Sequence, residues 1–331
     1  MIKTSKYGFD IKLAEGINIT NIPSITRESA ELGISTGKYG KLWFDLPEGK
    51  AIFKTYDSRF LSSAKRIRII NEIICCKLLN QVGIPCAKYE PATFDEKEVS
   101  VRGLVTYDIK KDKERLIHLY QLSYEGCSEY WTLFDIYNHL DELSDTYKLD
   151  KEEICLGLYE MMVFDLITMQ TDRNTHNIHF IANKETKTFR LAPILDNELA
   201  FCGKRINEII ESEDSIKYSI MKEMNNPFNC KYGREVYLYR FNKEEDSELS
   251  YNESIKEVVS LANSYDSAKK SLSRILSNIN IDDAITETEE MGFNIGEDYK
   301  NYLRQVVNSS FEIFEKYIFS SDYTTENEIN F

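Results

Sequence analysis

Apolar positions recur with two different periods along this chain, and the change of period divides it. Lys41-Leu42-Trp43-Phe44 and Ala51-Ile52-Phe53-Lys54-Thr55-Tyr56 flank Pro47-Glu48-Gly49-Lys50, which reads as strand, turn, strand. From Ser62 to Val82 the spacing lengthens, and Ile67, Ile70, Ile73, Ile74, Leu78 and Val82 mark a helix. Gly83-Ile84-Pro85 ends it, because glycine accepts a left-handed cap and proline cannot continue a helix. Residues Glu98 to Ile109 return to strand character. Residues 33–110 therefore predict a β-rich unit with one helix.

From about residue 128 the pattern is mainly helical. Asp150 with Glu153 reads as a capping pair ahead of Ile154, Leu156, Leu158, Met161, Met162, Phe164, Leu166 and Ile167. So broad an apolar face predicts a buried helix leading into the segment around Asp172. Ile178 to Ala182 and Thr188 to Leu195 read as two strands joined at Asn183-Lys184-Glu185-Thr186. Helices are expected near 205–223, 252–264, 266–278 and 297–318, and the polar residues 321–331 read as a frayed tail. The charged run Lys110-Lys111-Asp112-Lys113-Glu114-Arg115 reads as a solvated loop between two lobes. The predicted architecture is α+β and bilobal: a small β-rich N-lobe over 1–110 and a helical C-lobe over 111–320.

Composition narrows the function classes. The 331 residues are 42% hydrophobic and 29% charged, ordinary for a globular protein with a sizeable core. No run of about 18 apolar residues predicts a membrane span, and Met1-Ile2-Lys3-Thr4-Ser5-Lys6 lacks the apolar stretch of a secretory signal. A formal charge of −14 argues against a direct nucleic-acid binder, since phosphate contacts demand a basic surface. The seven cysteines form no C-x-x-C pair and read as reduced thiols of a cytoplasmic protein.

One stretch carries chemistry. Thr171-Asp172-Arg173-Asn174-Thr175-His176-Asn177 places an aspartate and, five residues on, an asparagine between the long helix and a strand. A second strand then ends at Leu195-Asp196. A hairpin returning Asp196 beside Asn177 brings two oxygen ligands together for Mg²⁺, with Asp172 left to orient an attacking hydroxyl. In the β-rich part, Lys54 is a strand lysine opposite in facing to Phe53, suited to phosphate oxygens, and Glu72 on the next helix can pair with it. Gly33, Ser35, Thr36, Gly37, Lys38 and Gly40 precede these strands as a glycine-rich turn whose N–H groups can cradle phosphate. It is not a Walker A sequence. His176 and His179 lack a third zinc-type ligand nearby in sequence, so a structural or pocket-lining role is expected.

These residues resemble the HipA-like kinases, and more closely their short CtkA-like branch. The helix from Asn71-Glu72 to Gly83-Ile84, the stretch Phe164 to Phe180, and Leu191-Ala192-Pro193-Ile194-Leu195-Asp196 (an "APxxD" strand) carry the likeness. The resemblance implies Asp172 as catalytic aspartate, Asn177 and Asp196 as Mg²⁺ ligands, and Lys54 as the ATP-phosphate lysine with Glu72 as its partner. Gly33 to Gly40 become the phosphate loop, and Thr106, Tyr107 and Ile109 belong to the linker that meets adenine. Two departures stand out: Asn174 replaces the family's usual histidine, and Asn197-Glu198 follows Asp196 in place of Phe-Gly.

The expected activity is ATP- and Mg²⁺-dependent transfer of the γ-phosphate to a Ser/Thr hydroxyl of a protein, autophosphorylation included. Ser212, Ser215 and Ser219 are the serines that follow the metal aspartate. The same site also suits a small-molecule or phosphoinositide kinase, or an ATP-binding pseudokinase acting through protein contacts. A small antitoxin-like partner is a further expectation. Delivery into another cell by a route without a cleavable signal stays open.

Overall fold

The computed structural model describes residues 17–18, 41–46, 49–55, 63–96, 99–122, 133–202, 215–225 and 250–319. Eight strands and eight helices are described. The first sheet has the order β1-β4-β5-β3-β2, with β1 (Ile17–Asn18), β2 (Lys41–Leu46), β3 (Gly49–Thr55), β4 (Tyr89–Glu96) and β5 (Val99–Tyr107). β2 and β3 form a hairpin in which Leu46 pairs with Gly49, so the strand takes in the last two residues of the predicted turn. The strand β4 was not anticipated, because Pro91 and the acids around it obscure its apolar alternation.

Helix α1 (Ser63–Gln81) crosses between β3 and β4, and its middle is buried on nearly every side from Ile67 to Leu79. Gly83 adopts φ 68°, the left-handed conformation expected of the residue that stops it.

The second sheet has the order β6-β7-β8, with β6 (Glu114–His118), β7 (His179–Asn183) and β8 (Thr188–Leu191). Here the structure corrects the sequence reading, for Glu114 and Arg115 begin a strand and are not loop. Pairing with β7 supplies what the charged sequence could not reveal: Glu114 aligns with Asn183 and receives Arg190 at 3.2 Å.

The helical lobe consists of α2 (Leu133–Ser144), α3 (Lys151–Ile167), α4 (Ile216–Asn225), α5 (Tyr251–Ser264), α6 (Asp266–Asn278), α7 (Ile281–Glu290) and α8 (Glu297–Phe319). Asp150 caps α3, its carboxylate accepting from the Glu153 N–H at 2.9 Å. The helix is buried around its circumference and packs on α2, α5, α6, α8 and β8. The ten-residue α7 was missed: only Ile281, Ala284 and Ile285 mark its apolar face, and five of its residues are acidic. It packs against α1, where Gln81 exchanges two hydrogen bonds with the backbone of Asn280. The predicted glycine loop, residues 205–214 and the tail lie outside the described residues. Among the described residues, no helix is long and apolar enough to cross a membrane.

Candidate active site

Strand alternation turns Phe53 into the core and Lys54 to the other face of β3, where α1 lies. Gly103 on β5 permits this: a Cβ there would sit 2.3 Å from the Phe53 ring and 2.5 Å from the Lys54 carbonyl oxygen. Lys54 Nζ donates to Glu72 Oε1 at 2.6 Å, and Glu72 is wholly buried. The Tyr89 hydroxyl donates to the same oxygen at 3.3 Å, and Asp196 Oδ1 stands 3.9 Å from Lys54 Nζ. Burial is the largest influence on the ammonium and lowers its pKa, but Glu72, Asp196 and Glu198 together outweigh it and the pKa is raised. Lys54 is therefore a held cation at neutral pH, surrounded by three carboxylates.

Asp172 follows α3 by way of Thr168, which closes the helix, and Met169, whose φ is 45°. Its backbone is fixed from several directions. The Asp172 carbonyl accepts from Asn177 Nδ2 at 2.7 Å and Asn174 Nδ2 at 3.2 Å, while its N–H reaches Gln170 Oε1 at 3.3 Å. Asn177 Nδ2 also approaches Asp172 Oδ2 at 3.3 Å. Asn174 Oδ1 accepts from the His176 N–H at 2.8 Å, so Asn174 organises the loop by hydrogen bonds at both ends of its amide.

Arg173 joins this loop to the hairpin. Its guanidinium grips Asp165 of α3 with Nε on Oδ2 at 2.8 Å and Nη2 on Oδ1 at 2.9 Å. Nη1 donates to the carbonyls of Asn177 at 3.2 Å and Leu195 at 2.9 Å. Nη2 also donates to Asn197 Oδ1 at 2.6 Å. The two segments expected to supply metal ligands thus meet on one nitrogen. Burial pushes the Asp165 carboxyl up even against the pull of Arg173. Gln170 makes a second link, its amide nitrogen donating to the Asp196 carbonyl at 3.4 Å.

Asp196 adopts φ 59°, a left-handed conformation that aspartate tolerates better than most residues. Oxygens of Glu72, Asp196 and Glu198 lie within 4.8 Å of one another, the one such acidic grouping among the described residues. Asn71, beside Glu72, donates to the carbonyls of Glu198 at 3.3 Å and Ala200 at 2.9 Å, and accepts from the Tyr299 hydroxyl of α8. Tyr302 of the same helix donates to the Phe201 carbonyl at 2.7 Å. The segment after Asp196 is therefore anchored to both lobes.

Sequence reasoning named Lys54, Glu72, Asp172, Asn177 and Asp196, and the structure gathers them around the β3–α1 contact and the α3–β7–β8 loops. It passed over Asp165, Gln170, Arg173, Asn197 and Glu198. Arg173 carried a legible signal, a lone arginine in a loop entered by a buried helix that itself contains an aspartate. Gly33, Ser35, Thr36, Gly37, Lys38 and Gly40 lie outside the described residues. Thr106 is buried in β5 opposite Ile52, with no hydrogen-bond partner for its hydroxyl among the described residues. Tyr107 donates to Glu90 at 3.4 Å, and Ile109 packs against the core.

Three histidines lie close together beside this loop. The His118 ring lies tilted against that of His179, with ring centres 4.6 Å apart, and its Nδ1 bonds the His176 carbonyl at 2.7 Å. Burial, then His118 and Arg173, lower the pKa of His179 to about 4 against a smaller opposing effect of Asp196. Ser219 is buried in α4, which sets it apart from Ser215 as a site for modification.

No protein-family model matches this chain, and no curated protein matches it by sequence. Solved structures do. A proinflammatory kinase of Helicobacter pylori, CtkA, superposes with a TM-score of 0.64 at 13% identity, over 93% of this chain and 99% of that one. HipA of Shewanella oneidensis MR-1, solved with HipB and operator DNA, gives 0.47 at 14% identity over 86% of this chain and 65% of that one. The α+β bilobal architecture of this chain is that of the CtkA kinase structure.

Proposed function

We propose that this protein is an ATP- and Mg²⁺-dependent phosphotransferase that acts on Ser or Thr hydroxyls of proteins, including its own, in the cytoplasm. One observation carries the reading. A buried lysine–glutamate pair faces Asp196, and Arg173 fastens the Asp172 loop to the segment after β8 that carries that aspartate. The donor set fits the cofactors: an ammonium for phosphate oxygens and an all-oxygen group of ligands, which suits a hard cation better than zinc.

Bound ATP supplies the transferable phosphoryl group, and Mg²⁺ neutralises charge on it. The chain's own residues do the positioning. Lys54 holds phosphate oxygens and is kept protonated by its carboxylates. Asp196 and Asn177 serve as metal ligands, with Glu72 and Glu198 adding negative potential beside them. Asp172 accepts a hydrogen bond from the acceptor hydroxyl and takes its proton as the new bond forms. Pre-set loop geometry lowers the barrier because little needs to reorganise during transfer.

The test is incubation with γ-labelled ATP and Mg²⁺, followed by mass mapping of labelled residues. Asp172→Ala is expected to lower transfer by about a thousandfold or more while ATP affinity stays within about threefold. Equal labelling of wild type and variant would overturn the role given to Asp172. Absence of ATP binding by the folded protein would overturn the reading as a whole.

A further inference from the structure

Cys76 and Cys86 form a thiol pair outside the chemistry described above. Their Sγ atoms lie 3.3 Å apart, across ten positions of sequence. Cys76 stands on α1 one turn beyond Glu72, and Cys86 lies in the link to β4. The backbone around Cys86 pairs with Ile194, with Ala87 N–H on the Ile194 carbonyl at 3.0 Å and Ile194 N–H on the Pro85 carbonyl at 2.8 Å. The two sulfurs therefore join the helix that carries Glu72 to the backbone two residues ahead of Asp196.

The two thiols are inequivalent. Cys86 donates its S–H toward Cys76, and that bond, against burial and with help from the Tyr89 N–H, Lys77 and Asn80, lowers the pKa of Cys76. The same hydrogen bond, then burial, raises that of Cys86. A thiolate-prone sulfur touching a protonated second thiol is the arrangement that peroxide-responsive cysteines use. Neighbouring Cys75 is fully buried and its pKa is pushed up by that burial, as is that of Cys155 to about 12, so these thiols are inert by comparison. Cys86 is partly exposed and gives the pair an approach from solvent.

We infer that Cys76 and Cys86 are an oxidation site at which a hydroperoxide installs an intramolecular disulfide. Cys76 gives up its proton to solvent and the thiolate attacks a peroxide oxygen; the O–O bond breaks, the departing hydroxide takes up that proton and leaves as water, and Cys76 becomes a sulfenic acid. The Cys86 sulfur then attacks the Cys76 sulfur, the S–O bond breaks, and hydroxide departs with the Cys86 proton as a second water. Two thiols lose two electrons and the peroxide gains them. The sulfurs need only close from 3.3 Å to the bonded distance of about 2.05 Å, within reach of side-chain rotation and a small backbone shift.

The experiment treats the folded, reduced protein with a small excess of hydrogen peroxide. Intact mass, alkylation of remaining thiols and tandem mass spectrometry are then read, with a Cys75→Ala variant to separate the adjacent cysteines. The expected product has lost two hydrogens, links Cys76 to Cys86, and returns to the dithiol with dithiothreitol. In Cys86→Ser, Cys76 is expected to stop at a sulfenic acid that dimedone traps. Cys76 and Cys86 remaining fully alkylatable after peroxide would overturn the inference. So would a disulfide joining Cys86 to Cys75, or wild-type Cys76 accumulating sulfenic acid as Cys86→Ser does.

Discussion

Two ion pairs lie at the heart of this molecule, and they are held in opposite ways. Lys54–Glu72 is a single contact between a strand and a helix, with side-chain exposures of 13% and 0%. Arg173–Asp165 is a two-pronged contact within one stretch of chain, with exposures of 3% and 1%. The arginine fork spreads over Asp165, Asn197 and two carbonyls, so it cannot turn to a new partner without dismantling the loop. The lysine is a point charge on a flexible stem, already 3.9 Å from a second carboxylate. Burial alone does not distinguish an ion pair that braces a loop from one proposed to meet a ligand. The number of directions in which the cation is held does.

That contrast can be broken at its stronger end first. Arg173→Met is expected to cost about 4 kcal/mol in urea unfolding, because it strands Asp165 in the interior. Adding Asp165→Leu should recover most of the loss, since an apolar pair replaces a lone buried charge. Failure of the second change to help would show that the fork's contacts to Asn197 and the carbonyls dominate.

His179 sharpens the comparison by titration, for it feels both Arg173 and Asp196. Its folded pKa of about 4 lies below the ordinary 6.5, so between these values the unfolded chain takes up a proton that the folded chain refuses. Stability present above pH 6.5 is therefore lost as the pH falls toward about 4, by up to about 3 kcal/mol. In His179→Gln this window should flatten in pH-dependent unfolding curves, and an unchanged slope would remove His179 as the cause. Lys54→Met is expected to have the smallest effect on stability, about 2 kcal/mol, because Tyr89 still donates to Glu72. The same variant should lose ATP affinity out of proportion to that cost, in a direct binding titration. Equal losses of stability for Lys54→Met and Arg173→Met would erase the distinction.

Much of this arrangement was legible from periodicity and local chemistry. Gly83 ended α1 as glycine does, Asp150 capped α3, and α5, α6 and α8 began within a residue of where their apolar spacing placed them. The elements that escaped notice depend on distant partners. Charged β6 is a strand because β7 lies beside it, and β4 tolerates Pro91 because the sheet supplies its neighbours. The candidate site divides similarly: residues proposed for a single chemical task were readable, whereas Arg173 and Gln170 bridge segments that only the fold brings together.

The anchoring of Asn71 by Tyr299 has a consequence for biosynthesis. The two residues are 228 positions apart, and Asn71 adjoins Glu72. A chain leaving the ribosome from its N-terminus exposes Lys54 and Glu72 long before α8 exists. Its β-rich lobe can form early, but the helix face carrying Asn71 waits for a hydroxyl still to be translated. Completion of the site is thereby timed to the emergence of α8, so a partly synthesised chain carries its acids and its lysine in an unfinished setting.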